Sequence, residues 1–296
     1  MIVLYSPRYQ IDIGVHVFPT IKYARLFERL QLDTRLRFAE PAPAAWDDLS
    51  LVHSAAYLEK LQTGHMSLED MALLELPWSP EVVDGFRLMT GGTIAAARAV
   101  MARQDGNIVC HLGGGLHHAF PNHGEGFCVF NDVAVAIHVL RRDGAAARAA
   151  VIDLDVHHGN GTAFIFERDD NVFTFSMHQQ YNYPAHKPRG SLDIGLLDGT
   201  RDEEYLQKLA DGLERVSAHT PQIVFYLAGA DPYEDDQLGG LALTKAGLLQ
   251  RDRMVLSLGR ELGVPIVVTL AGGYARRLED TVDIHYQTIM ASAESG

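Results

Sequence analysis

The chain has 296 residues, 47% of them hydrophobic, and carries 25 Lys and Arg against 38 Asp and Glu, a formal net charge of −13 at pH 7. That length can bury a large core, and no Pro/Ser-rich linker or low-complexity block divides it, so one domain over 1–296 is expected. The acidic balance argues against direct nucleic-acid binding, which needs clustered Lys and Arg; it suits a cationic substrate such as a polyamine or a lysine-rich peptide, and equally suits plain solubility.

No basic segment followed by a long apolar one opens the chain, and no apolar stretch reaches the roughly 18 residues of a membrane-spanning helix. Cys110 and Cys128 offer neither a disulfide framework nor finger spacing. The expectation is a soluble cytoplasmic protein with no membrane partner.

In chain order, an apolar run at 2–6 predicts a strand, and helical patterns follow at about 20–31, 54–62 and 80–104. A strand is predicted at 107–112, a helix at 131–142, then strands at 149–156 and 172–178. A helix at 202–218, a strand at 222–230, a helix at 244–262 and a strand at 265–273 complete the pattern. Runs without polar alternation suit strands buried on both faces, so the fold class is α/β: a central, mostly parallel sheet with helices on both faces.

Polar residues and glycines gather after these runs: His117 and His118, the stretch "VIDLDVHHGNGTAF" at 151–164, Ser176 and His178, Asp231, and Gly272-Gly273-Tyr274. In open parallel sheets the ligand crevice lies beyond the carboxyl ends of the strands, so these loops should converge on one site.

Within 151–164, Asp155 and His157 stand two residues apart and point the same way in extended chain. Asp231, before a strand-stopping proline, offers a third ligand, although alone it would equally cap a turn. Two Asp and one His leave an open position, the arrangement of a catalytic zinc site. A two-metal hydrolase would want a further Asp at 159, which is Gly, so one catalytic metal is expected and Asp153 is left for the layer behind it or for a structural cation. Tandem His117-His118 can supply a general base beside a charged partner. Tyr274, after two glycines, can donate to a developing oxyanion or merely pack on the next helix.

The motifs "GGGLHHAF", "GEGFCVFND", "VIDLDVHHGNGTAFIF", "LAGADPYEDDQLGGL" and "VVTLAGGYA", in that order, resemble those of the histone deacetylase superfamily, acetylpolyamine amidohydrolases included, over about residues 10–280. Small size and "VFPTIKYARLFERL" look most like compact bacterial class IV-like deacetylases. The resemblance implies zinc, or iron(II), on Asp155, His157 and Asp231. It implies Asp153 behind His117, His118 as general base and acid, and Tyr274 polarising the substrate carbonyl, with Gly272 and Gly273 as substrate-binding residues in the loop before it. It implies a structural potassium at Asp153, Ser176 and the carbonyls of Asp155, His157 and Met177, and a second monovalent ion at carbonyls of Phe166, Asp169 and Val172. Gly126, Phe127 and Tyr183 resemble the walls of a tube for the acyl-lysine stem.

Asn160 stands where class I relatives carry an acidic residue behind His118. An amide raises an imidazole pKa less than a carboxylate, so His118 should stay neutral and basic to lower pH. The expected activity is metal-dependent hydrolysis of N-acyl-lysine in proteins or peptides, with acylated small amines as the alternative substrates. A silent acyl-lysine-binding module would be expected to lack a zinc ligand, the histidine pair or Tyr274, and all are present. An arginase-like dimanganese enzyme is disfavoured by Gly159. Acyl length and oligomeric state are left open by the sequence.

Overall fold

The computed structural model describes residues 1–296. Its strands are β1 (Ile2–Leu4), β2 (Arg37–Ala39), β3 (Ile108–His111), β4 (Ala149–Asp153), β5 (Val172–Gln179), β6 (Leu192–Leu196), β7 (Ile223–Leu227) and β8 (Ile266–Thr269). They form one sheet in the order β2-β1-β3-β8-β7-β4-β5-β6, with every pairing parallel. All six predicted strands are present. The two not foreseen, β2 and β6, are the sheet edges, where exposed residues interrupt the apolar pattern.

The helices are α1 (Ile21–Leu30), α2 (Trp46–Leu49), α3 (Ala55–Thr63), α4 (Leu68–Leu74), α5 (Pro80–Met101), α6 (Asp132–Arg142), α7 (Asn160–Phe166), α8 (Asp202–Ala218), α9 (Lys245–Leu262) and α10 (Leu278–Ser295). One group packs through α5 and α6, another through α1, α10, α9 and α8. Central strands β3, β4, β7 and β8 are buried along their whole length, which requires helices over both sheet faces. Sequence cues set the ends of several helices. Ser79 caps α5 ahead of Pro80, Asn131 caps α6 through Ala134 N, and Gly263 closes α9 in the left-handed conformation. No helix is long and apolar enough to cross a membrane.

The register aligns the strand ends. His111 pairs with Thr269, Thr269 with Leu227, Leu227 with Asp153, and Asp153 with Ser176. The carboxyl ends of adjacent strands therefore lie in one row, and the loops leaving that row open on a common crevice.

Candidate active site

Asp155 and His157 leave the row after β4, and Asp231 leaves it after β7, the neighbouring strand. All three are buried, and each offers a ligand atom within 4.8 Å of the others. His157 Nδ1 lies 3.0 Å from Asp155 Oδ1 and 3.5 Å from Asp231 Oδ2. Backbone N–H groups fix the carboxylates: Gly272 donates to Asp155 Oδ2 at 2.8 Å and Val156 to Asp231 Oδ1 at 2.8 Å. Asp231 Oδ2 is buried without any hydrogen-bond partner.

Two buried carboxylates side by side are costly unless a cation answers them. Burial pushes His157 down, but Asp155 and Asp231 outweigh it and carry it to about 10. Burial and the Asp155 charge push Asp231 up. Both effects express a demand for positive charge at one point, and two oxygens plus one imidazole nitrogen fit zinc or iron(II) with an open coordination position. The cradle has no room to spare: a Cβ on Gly272 would lie 2.0 Å from Asp231 Oδ2 and 2.6 Å from Asp155 Oδ2. Glycine at 159 likewise leaves room for Asp153 Oδ2, 2.3 Å from where a Cβ would stand.

The glycine-rich loop after β3 brings the histidine pair over this point. His117 Nδ1 lies 2.7 Å from Asp153 Oδ2, and His118 Nδ1 lies 2.7 Å from Asn160 Oδ1. Their Nε2 atoms are 3.1 Å apart. Burial opposes charge on His117, yet Asp153 and Asp155 outweigh it and raise it to about 9. His118 is held well below its ordinary value, first by burial and then by the charges of His117 and His157. The expected neutral His118 is therefore present in direction, but its cause differs: the Asn160 hydrogen bond pushes upward, and burial between cationic neighbours decides the outcome.

A cavity of about 200 Å³ reaches these groups from the surface, with Glu75, Asn182 and Leu238 among its lining residues. Gly126, Phe127, Tyr183 and Gly272 also line it, whereas Gly273 does not and faces Thr281, Ala230 and His285 instead. Gly126 and Phe127 both have positive φ, 50° and 65°, between Glu125 and Cys128, whose backbones pair. This is the pattern of a type I′ turn, and it presents Phe127 to the cavity. A Cβ on Gly126 would meet His118 at 2.8 Å and Tyr183 at 2.9 Å, so bare backbone forms that part of the wall. The Tyr274 ring lies 6.4 Å from His157 and 6.1 Å from Phe127 between centroids. Burial raises its phenol well above the ordinary value, so the hydroxyl keeps its proton for donation.

Ser176 and Met177 lie at the end of β5 beside Asp153, and Ser176 Oγ is 3.0 Å from His178 Nδ1. Phe166, Asp169 and Val172 form the turn between α7 and β5, in which Asp169 N donates to Phe166 O and Val172 N to Asp169 O.

Four supporting residues escaped the sequence reading. Asp132 accepts from Gly115 N and Leu116 N, bracing the histidine loop. Asp236 accepts from Tyr274 N at 2.7 Å and from Leu238 N and Gly239 N, bracing the tyrosine loop. Lys22, fully buried and pushed down to about 8 by burial, donates to Ala271 O. Glu125 accepts from Asn160 Nδ2 at 2.7 Å and from the Tyr183 hydroxyl at 3.0 Å. All four stood inside quoted stretches, but the partners that matter, Gly115 and Leu116, Tyr274, Ala271, and Asn160 and Tyr183, are remote in sequence, which spacing does not reveal.

Comparison with known proteins gives a consistent result. The histone deacetylase domain family matches residues 16–289. An uncharacterised protein of Picosynechococcus sp. is 40% identical over 96% of this chain and 95% of its own length. Histone deacetylase 2 of Arabidopsis thaliana is 32% identical over 95% of this chain and 77% of its own, and a histone deacetylase-like amidohydrolase of Pseudomonas aeruginosa is 32% identical over 82% and 68%.

Proposed function

The chain belongs to the histone deacetylase family and is a hydrolytic deacetylase, and from that premise we propose that it cleaves the amide of N-acyl-lysine in proteins or peptides with zinc as its metal. The observation that carries this reading is the meeting of a three-ligand cluster, a histidine held below its ordinary pKa and a protonated tyrosine, with Asp155, His157, His118 and Tyr274 lining one cavity. Asp155, His157 and Asp231 would hold the cation. Bound there, it supplies Lewis acidity to the scissile carbonyl and acidifies a water.

The chain's own groups do the rest. Phe127, Tyr183 and the bare backbone of Gly126 enclose the apolar lysine stem and exclude water around it. His118 Nε2, opposite the nitrogen that faces Asn160, accepts the proton of the attacking water. The Tyr274 hydroxyl donates to the oxyanion as the carbonyl carbon becomes tetrahedral. As the C–N bond breaks, a histidine of the pair returns a proton to the leaving amine, and the carboxylic acid departs as its anion. The Asp153 carboxylate on His117 Nδ1 keeps that imidazole charged and oriented.

In this reading Asp153, Ser176 Oγ and the carbonyls of Asp155, His157 and Met177 would hold a potassium ion, and the carbonyls of Phe166, Asp169 and Val172 would hold a second monovalent ion. Adjacent register of Asp153 and Ser176 supports the first of these. Acylated small amines are the alternative substrates, favoured by Glu75 in the cavity lining. The test is a matched panel of acetyl- to myristoyl-lysine peptides and acetylated polyamines offered to the metal-replete enzyme. Lysine peptides should turn over best. Turnover of polyamines alone would replace the substrate class, and none on any member would overturn the deacylase reading for both.

A further inference from the structure

We infer that Glu125 is a positioning residue for the general base: its carboxylate fixes which way the Asn160 amide faces, and through that amide it fixes the proton on His118 Nδ1. The inference rests on the reading of His118 as base.

Donors and acceptors alone decide the orientation. One end of the buried Asn160 amide lies 2.7 Å from His118 Nδ1 and the other 2.7 Å from Glu125 Oε1. An ionised carboxylate accepts and never donates, so the end facing Glu125 must be the NH2. The end facing His118 is then the carbonyl oxygen, which only accepts. His118 Nδ1 must therefore carry a hydrogen, and in the neutral ring Nε2 is the acceptor. Its lone pair is directed toward the reacting centre and toward His117 Nε2, 3.1 Å away, which supplies the hydrogen of that contact. An asparagine alone imposes no tautomer, because it can rotate to offer either end; the carboxylate behind it removes the choice.

Glu125 is equipped for this. Its backbone is locked by reciprocal hydrogen bonds with Cys128 across the Gly126-Phe127 turn, and its side chain is only 15% exposed. Burial pushes its carboxyl up, but hydrogen bonds from His123, Asn160 and Tyr183 outweigh this and keep it below the usual glutamate range, hence ionised. The Tyr183 hydroxyl shares Oε1 with Asn160, so one carboxylate anchors both a wall of the tube and the base.

The test compares metal-replete wild type, Glu125→Gln, Tyr183→Phe and the double variant Glu125→Gln/Asn160→Asp, reading kcat and KM on an acetyl-lysine peptide and the His118 tautomer by 15N NMR of histidine-labelled protein. A glutamine can offer either end to Asn160, so Glu125→Gln should let the Nε2–H tautomer appear and lower kcat about tenfold, an early share of the 100- to 10,000-fold that proton transfer contributes. Tyr183→Phe, which breaks only the tube contact, should alter KM and leave the tautomer in place. The double variant restores a carboxylate directly at His118 Nδ1 and should recover the tautomer and most of kcat. An unchanged tautomer in Glu125→Gln would overturn the inference, as would a kcat loss that the double variant fails to recover. Because the tautomer is read without turnover, an inactive wild type would contradict the deacylase reading while leaving the Glu125 claim decided by the spectrum.

Discussion

Tyr274 and Gly272 are two residues apart and serve opposite needs, one a side chain reaching over the site and the other the absence of one. Tyr274→Phe keeps the ring among Phe18, Phe127 and His157 and removes only the donor. Loss of one oxyanion donor should lower kcat about 100- to 1,000-fold with KM little changed, which steady-state kinetics on an acetyl-lysine peptide will read. Gly272→Ala places a methyl 2.0 Å from Asp231 Oδ2 and must push that carboxylate aside. Metal affinity, measured by competition with a chromogenic chelator, should fall about 10- to 100-fold, as when groups behind metal ligands are disturbed. Undiminished affinity would mean that Asp231 is not a ligand.

Among the elements, α9 carries a device the sequence conceals. Arg251 and Asp252, adjacent and fully buried, form an ion pair in which Asp252 also accepts from Tyr226 and Thr288. Arg251 donates onward to Gly229 O at 2.6 Å, in the loop that bears Asp231. Arg251→Met strands the Asp252 charge and should cost about 3–5 kcal/mol in urea unfolding; a loss below about 1 kcal/mol would show that the pair is dispensable. Nothing local distinguishes this Arg-Asp dipeptide from a solvated one, and the same blindness covers Asp132, Asp236 and Lys22. What composition does reveal is one-dimensional. Six strands were legible because both their faces are covered, while β2 and β6 lack that signal because an edge strand keeps one side wet. The short helices α2, α4 and α7 have too few turns for a period to show. At the site, Asp155, His157, Asp231, the histidine pair and Tyr274 were visible because each follows an apolar run. Of the residues expected to bind substrate, Gly126, Phe127, Tyr183 and Gly272 line the cavity and Gly273 does not.

For the molecule as a whole, His53 and His111 draw stability down as pH falls. Burial holds His53 down to about 4 and His111 to about 3, where His111 joins Tyr9 and Thr93 beneath the histidine loop. Unfolded histidine titrates near 6.5, so as pH falls through that value the unfolded chain binds protons that the folded one refuses. The stability from these two groups is complete above about pH 6.5 and is lost progressively down to the folded values, about 2 kcal/mol each by pH 5. His117, raised to about 9, and His157, raised to about 10, act in the opposite sense and give up their contributions as pH rises from about 6.5, and the raised Asp231 likewise favours acid. The effect of one buried histidine is therefore read as a difference: in urea unfolding with excess chelator, so that metal release is not read, His53→Gln should lose about 2 kcal/mol less stability than wild type between pH 7.5 and pH 5. An equal loss in both would place His53 in contact with water.

The whole arrangement turns on one claim, that the crevice at the strand ends hydrolyses an acyl amide with a cation on Asp155, His157 and Asp231. The most direct measurement is metal content and acetyl-lysine peptide turnover on the same preparations of wild type and Asp231→Asn. The account predicts one tightly held divalent ion per wild-type chain, activity that vanishes with chelation and returns on adding zinc or iron(II), and weak binding with negligible turnover in Asp231→Asn. Full turnover by metal-stripped wild type, or by Asp231→Asn, would contradict it.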